Sequence, residues 1–331
     1  MARNHATTTR VTTRAPEALR GAAPAGHEWV ISGGGYEAAV MQVGATLRSL
    51  TRAGRPLLSG FGADEQTTAY RGAVLAPWPN RVRDGRYRYA DTDYQLALTE
   101  PERRNALHGL LCWQEWRAVV HEPARLVCET TLRPQPGWAW TLTCRVTYEL
   151  GDDGLAVTPW ARNESATTAP FGYGMHPYLT CGEHSVDELE LALPAALALD
   201  VDPARLLPTA EPATEALGPV PAEVDLRAGP PLVGRRLDTA YAGLSADPDG
   251  CWRARLSHPA SGRTTTLWAP LRDFGWAQVF SGDALPEPER RRTGVAVEPM
   301  TCGPDALRDG TDLIALAPGE EWSATWGLTG S

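Results

Sequence analysis

The chain has 331 residues, of which 43% are hydrophobic and 21% charged, and a formal net charge of -9. An acidic chain lacks the positive charge needed to neutralise nucleic-acid or lipid phosphates, and no apolar run approaches the ~18 residues of a membrane-spanning helix. All 31 basic residues are arginine, which excludes Schiff-base lysines, lysine-containing phosphate loops and lysine general bases.

Residues 1–27 are rich in Ala, Thr, Arg and Pro and lack the apolar core of a secretory signal, so they read as a disordered leader. Residues 28–331 read as one domain, since no linker divides them. In "GADEQTTAYRG" a short helix is expected from Glu65 to Tyr70. Next, "GRYRYADTDYQLALT" places Tyr87 and Tyr89 on one face and, past a polar turn, Tyr94, Leu96 and Leu98 on another. "TLTCRVTYEL" alternates through Leu142, Cys144, Val146, Tyr148 and Leu150, and "GDDG" turns it back into "LAVTPWARN" as a hairpin. "DELELALP" and "RTTTLWAP" are further strands, while the Pro/Ala/Glu-rich stretch 207–231 reads as a long surface loop. Short alternating runs punctuated by 32 glycines and 28 prolines give an all-β, antiparallel fold class.

The six cysteines form no CxxC pair and read as small buried hydrophobes of a reducing, cytoplasmic compartment. "CGEH" at 181–184 resembles half a zinc site, with no second half in view, and "ERRR" at 289–292 reads as a solvated loop.

The sequence has no G-x-S-x-G, H-E-x-x-H or G-x-G-x-x-G. What stands out is polar residues in apolar or Gly/Pro-bound settings. Glu298 ends the apolar run "VAVEPM", where it is either paired in the core or aimed into a cavity with a raised pKa suited to a general base. His176, in "PFGYGMHPYLT", is either a satisfied core histidine or a proton donor working near neutrality. His108 in "NALHGLL" poses the same choice. Asp238 in "RRLDTAYAGL" is a turn residue or a ligand, and Arg81 in "PWPNRVRDGRY" is a surface charge or a ligand.

Taken in order, "NRVRDGRY", "NALHG", "GYGMHPYL", "LDTAY" and "VAVEP…PDA" span residues 77–307, and their order and separations resemble the aldose 1-epimerase (galactose mutarotase) family. The form "WPNR…LHG…HPY…EPMTC" is similar to a bacterial subgroup of it. The resemblance implies a galactose mutarotase-like antiparallel β-supersandwich with a sugar cleft, no metal and no organic cofactor. It implies that His176 is the general acid and Glu298 the general base, with Arg81, His108 and Asp238 orienting sugar hydroxyls. Asn80 and Tyr178, in the same motifs, join the substrate contacts, and Trp78, Trp113 and Trp276 are further stacking candidates. The chain departs from many galactose mutarotases at Pro177, Leu110 and Met300.

The implied function is interconversion of the α and β anomers of a free, hexose-like aldose by acid/base ring opening, in a monomer or homodimer without nucleic-acid or membrane partners. Alternatives are an epimerase of a phosphorylated or sulfonated sugar, with Arg83, Arg86 and Arg235 as rim cations, a glycosidase using Asp238 with Glu298, and a non-catalytic sugar-binding protein.

Overall fold

The computed structural model describes residues 23–331, so most of the expected leader lies outside the described residues. Alternation decides the first sheet. Strand Leu142–Gly151 buries every second residue and pairs with Gly154–Asn163 in register from Leu142 opposite Asn163 to Gly151 opposite Gly154. This hairpin sits inside a nine-stranded antiparallel sheet, flanked by Arg125–Leu132 on one side and by Trp326–Gly330 and Arg263–Pro270 on the other.

The second sheet has eight strands and carries Asp238 and Glu298, with His176 between two of its short strands. Its middle runs Asp238–Leu244, Trp276–Phe280, Val295–Met300, with Gly174–Met175 and Tyr178–Leu179 both pairing with the last. Strand Val295–Met300 is buried along its whole length, as its unbroken apolar run requires of a strand covered on both faces. One set of alternate residues, Met175, Leu179, Tyr241, Ala277, Val279, Val295 and Val297, joins the main core between the sheets. The other set faces away from that core and packs in two small clusters around Trp276 and Met300 and around Tyr178 and Ala296.

Two expectations are corrected. Residues 65–70 form turns, not a helix, because Ala69 and Tyr70 take positive φ values of 50° and 55°, and Gly62 N–H is held by the Glu65 carboxylate at 2.9 Å. The stretch 207–231 is not one loop: Leu217–Pro219 extends the eight-stranded sheet, and two short 3-10 turns at Ala213–Ala216 and Ala222–Val224 accompany it. Burial of Leu207, Ala213, Ala216 and Leu226 ties this proline-rich segment down. The hairpins were expected correctly, but Tyr94 does not face away from Tyr87: Arg86–Tyr89 pairs with Thr92–Gln95, which sets Tyr87 opposite Tyr94 and stacks them at 5.0 Å, and the strand ends before Leu96. No helix of the described residues is long and apolar enough to cross a membrane.

Gly109 is where the backbone demands glycine. It has φ of +77°, and a Cβ there would lie 2.2 Å from the Ala76 carbonyl oxygen, which accepts from both Leu110 and Leu111 N–H. We expect Gly109→Ala to destabilise the protein by about 1–3 kcal/mol through left-handed strain and this clash. Denaturant titration checks it, and a midpoint equal to wild type contradicts the reading.

Candidate functional site

Residues directly opposite each other in an antiparallel pair point to the same face, as do residues two apart on one strand. Gln278 is opposite Glu298 and Ala240 opposite Gln278, so Asp238, Gln278 and Glu298 share one face. Tyr178 is opposite Ala296, which puts it on that face too, with His176 two residues before it. It is the face turned away from the main core, so His176, Tyr178, Gln278 and Glu298 are buried, and Asp238 partly so, without being part of the sandwich interior.

The acid and base candidates meet there. His176 Nε2 lies 3.2 Å from Glu298 Oε1, with side-chain exposures of 6% and 2%. The other two polar atoms of the pair, His176 Nδ1 and Glu298 Oε2, are buried with no hydrogen-bond partner. Each such atom costs on the order of 1–3 kcal/mol, so a pair of them facing nothing is a site held ready for a ligand.

Burial sets the protonation. Loss of water pushes Glu298 well above the usual carboxylate range, helped by the Asp238 charge and opposed by Arg81. Burial pushes His176 down to about 3, and the Arg71 and Arg81 charges act in the same direction. Burial therefore favours the uncharged form of both groups, a protonated Glu298 and a neutral His176, where the sequence alone suggests an imidazole that donates its proton near neutrality. The pair together carries one proton.

Two loops close over this face. His108 lies against His176, ring centroids 5.4 Å apart, and its nearest ring nitrogen, His176 and Glu298 have polar atoms within 4.8 Å of one another, a spacing that a divalent cation also accepts. The backbone N–H of Asn80 donates to His108 Nδ1 at 3.2 Å, which assigns the remaining ring proton to Nε2. Burial, with the Arg81 charge acting the same way, pushes His108 well below the usual imidazole range and keeps it neutral. Asn80 Nδ2 donates to Gln278 Oε1 at 3.2 Å, and Gln278 Nε2 donates to Asp238 Oδ1 at 2.7 Å, so one relay fixes three polar groups. Tyr178 stacks on His176 with centroids 5.0 Å apart and planes 11° from parallel.

Arg81 is more constrained than expected. Its Nε and Nη2 donate to the two oxygens of Glu100 at 2.9 and 3.1 Å, leaving Nη1 as its nitrogen without a partner among the described residues. Trp78 belongs to the main core, Trp276 donates its indole N–H to Asp312, and Trp113 is half exposed, packed on Tyr70, not on His176. The proposed rim cations are engaged elsewhere: Arg83 with Asp305 and the Pro208 carbonyl, Arg86 with Gln95, Arg235 with the Ala222 and Glu223 carbonyls.

Three participants escaped the sequence reading. Gln278 sits in "WAQVF", an uncharged polar residue in an apolar strand, and the logic applied to Glu298 would have found it. Glu100 and Arg71 lie in turn-rich stretches where a charge signals only solvent. A groove of about 650 Å³ runs along the Tyr87/Tyr94 hairpin and shares no residue with this cluster. The assignment of the site rests on its unpartnered buried groups and not on groove size.

Comparison with known proteins agrees with this architecture. Residues 28–329 match the family model described as aldose 1-epimerase. The chain is 33% identical over 291 residues to the uncharacterized protein YihR of Escherichia coli (strain K12), covering 88% of this chain and 89% of that protein. Its fold is that of a GalM/aldose epimerase homologue from C. elegans, at a TM-score of 0.80 and 20% identity over 92% of this chain and 98% of the other. The galactose 1-epimerase from Lactobacillus acidophilus NCFM superposes with a TM-score of 0.70 at 18% identity, covering 90% and 92%. The antiparallel β fold is thus galactose mutarotase-like, and the chain belongs to the aldose 1-epimerase family.

Proposed function

We propose that the protein is an aldose 1-epimerase in which Glu298 and His176 open and reclose the sugar hemiacetal. The observation that carries this reading is their 3.2 Å contact on a dry sheet face, with one buried, unpartnered polar atom left on each. The two oxygens that must exchange protons, O1 and O5, are bonded to the same carbon. An acid and a base side by side therefore serve both from one edge of the ring.

The free pair holds its proton on Glu298, and passing it across the contact to His176 creates the carboxylate and imidazolium that the reaction uses. Arg81, whose charge favours ionised Glu298, and a hydroxyl donating to the carboxylate both assist that transfer. The Glu298 carboxylate then takes the proton of O1–H. As the C1=O1 double bond forms, the C1–O5 bond breaks, and its electron pair on O5 takes the proton from His176. Rotation about C1–C2 turns the other carbonyl face to O5. Reclosure returns both protons and yields the opposite anomer. The protons lost and gained balance within the pair, so it ends each cycle with the one proton it began with. Asn80, Gln278, Asp238 and His108 line the same face and would hold the remaining hydroxyls.

Glu298→Gln and His176→Asn should each lower kcat/KM for anomer exchange by about 10²–10⁴-fold, the usual worth of general acid or base assistance. Two-dimensional exchange NMR measures the rate, and saturation-transfer NMR should show that the sugar still binds. Unchanged exchange in either variant contradicts the proposed roles.

The pH profile follows from the single shared proton. Because His176 is pushed to about 3, the pair does not take up a second proton between pH 7 and 5, and kcat/KM should stay level there. A fall centred near pH 6.5, the value of an ordinary imidazole, would contradict it.

Above the ordinary carboxylate range an unfolded chain loses the Glu298 proton while the folded chain keeps it. Glu298 therefore withdraws stability as pH rises, until its own raised pKa is passed. Glu298→Gln should raise Tm by roughly a few degrees at pH 7 and by less at pH 4.5. Calorimetry at the two pH values tests this, and a lower Tm at pH 7 would show that the carboxylate is paired and ionised.

A further inference from the structure

Arg71 is buried to 2% exposure, and two of its three guanidinium nitrogens, Nε and Nη2, have no hydrogen-bond partner. The third is fixed: Nη1 donates to the Ser59 carbonyl at 2.8 Å and to Ser59 Oγ at 3.0 Å. The guanidinium carbon lies 4.1 Å from the centroid of the Tyr178 ring, the same ring that stacks on His176. Main-chain bonds tie the two elements together, Gly72 N–H donating to the His176 carbonyl at 2.9 Å and His176 N–H to the Ala73 carbonyl at 3.1 Å.

Which edge of Arg71 is empty determines the chemistry. Nε and Nη2 form the side of the guanidinium whose two N–H bonds run parallel, the fork that matches two oxygens of one oxyanion. Arg81 shows the same edge filled, its Nε and Nη2 on the two oxygens of Glu100. The same edge of Arg71, more deeply buried, makes no hydrogen bond to any carboxylate. Glu287, in the neighbouring loop, acts on Arg71 through its charge yet leaves its own buried Oε2 unpartnered, and Arg290, closing the same side, adds positive charge although it is itself paired with Glu65. A buried guanidinium edge without hydrogen bonds is expensive, and Glu287, although its charge favours the cation, does not fill that edge.

We infer that Arg71 recognises an oxyanion carried by the sugar away from C1, a carboxylate, a phosphate or a sulfonate, with its Nε/Nη2 fork, Ser59 holding the fork in place and Tyr178 setting its distance from the acid/base pair. This rests on the reading of His176 and Glu298 as the anomeric acid and base. It replaces Arg83, Arg86 and Arg235, each bonded elsewhere, as the anion-reading residue.

The test is exchange NMR of the full chain with glucose, glucuronate, glucose 6-phosphate and 6-deoxy-6-sulfoglucose, which separates the three anion sources. At least one anionic sugar should exceed glucose in kcat/KM by about 100-fold, and Arg71→Met should bring that ratio below about 5, the loss expected when a desolvated bidentate charge pair is removed. Arg71→Lys, which keeps the charge and loses the fork, should recover part of the ratio. Should Arg71→Met not fold, wild type decides: sulfate or phosphate should inhibit exchange competitively, where chloride at equal ionic strength does not. Glu287→Gln should leave or increase the anionic preference. A wild type that exchanges glucose as well as all three anionic sugars, a preference that survives Arg71→Met, or a preference lost in Glu287→Gln overturns the inference while the mutarotase reading stands. A wild type that exchanges none of the four overturns the mutarotase reading itself.

Discussion

A carboxyl and an imidazole lie 3.2 Å apart and cut off from water, and burial favours the uncharged form of each. Much of the local architecture follows from keeping that pair dry and incomplete. Strand Val295–Met300 is covered on both faces, so Glu298 has no solvent to ionise into. His176 interrupts two short strands, and its backbone is instead bonded to Gly72 and Ala73. Each polar atom left without a partner costs stability, and a fold selected for stability alone would have paired them.

Around the pair, most polar groups are fully committed. Asn80 holds His108 through its main chain and Gln278 through its side chain, and Gln278 in turn holds Asp238. Glu100 fixes Arg81. Groups with settled partners define positions, whereas His176 Nδ1, Glu298 Oε2 and the Arg71 fork are buried with capacity to spare. The committed groups are held in place by one another, and the uncommitted atoms mark where a ligand has hydrogen bonds left to make.

The sequence disclosed the fold through alternation wherever a strand has one wet face. The Leu142–Gly151 hairpin and the Tyr87/Tyr94 hairpin were legible for that reason. Glu298 and His176 were visible as ionisable groups in apolar runs, and the spacing of five motifs connected them. Their mutual distance was not legible, since it depends on the register of strands more than a hundred residues apart. Burial was not legible either, and it moves the resting proton from the imidazole to the carboxyl. Arg71 gave no signal at all, because "AYRGA" is a turn in which a charge ordinarily meets water. It follows directly on the expected Glu65–Tyr70 helix, and the main-chain bonds between His176 and Gly72 and Ala73, with Arg71 over the Tyr178 ring, show that this turn packs beside the site.

The location of the shared proton is the central claim, and NMR of the free protein reads it directly. Carbon-13 detection of the Glu298 carboxyl, assigned by its loss in Glu298→Gln, and nitrogen-15 detection of the His176 ring should show a protonated carboxyl and a neutral imidazole at pH 7. An ionised Glu298 beside a charged His176, or an ionised Glu298 beside a neutral one, would contradict the account.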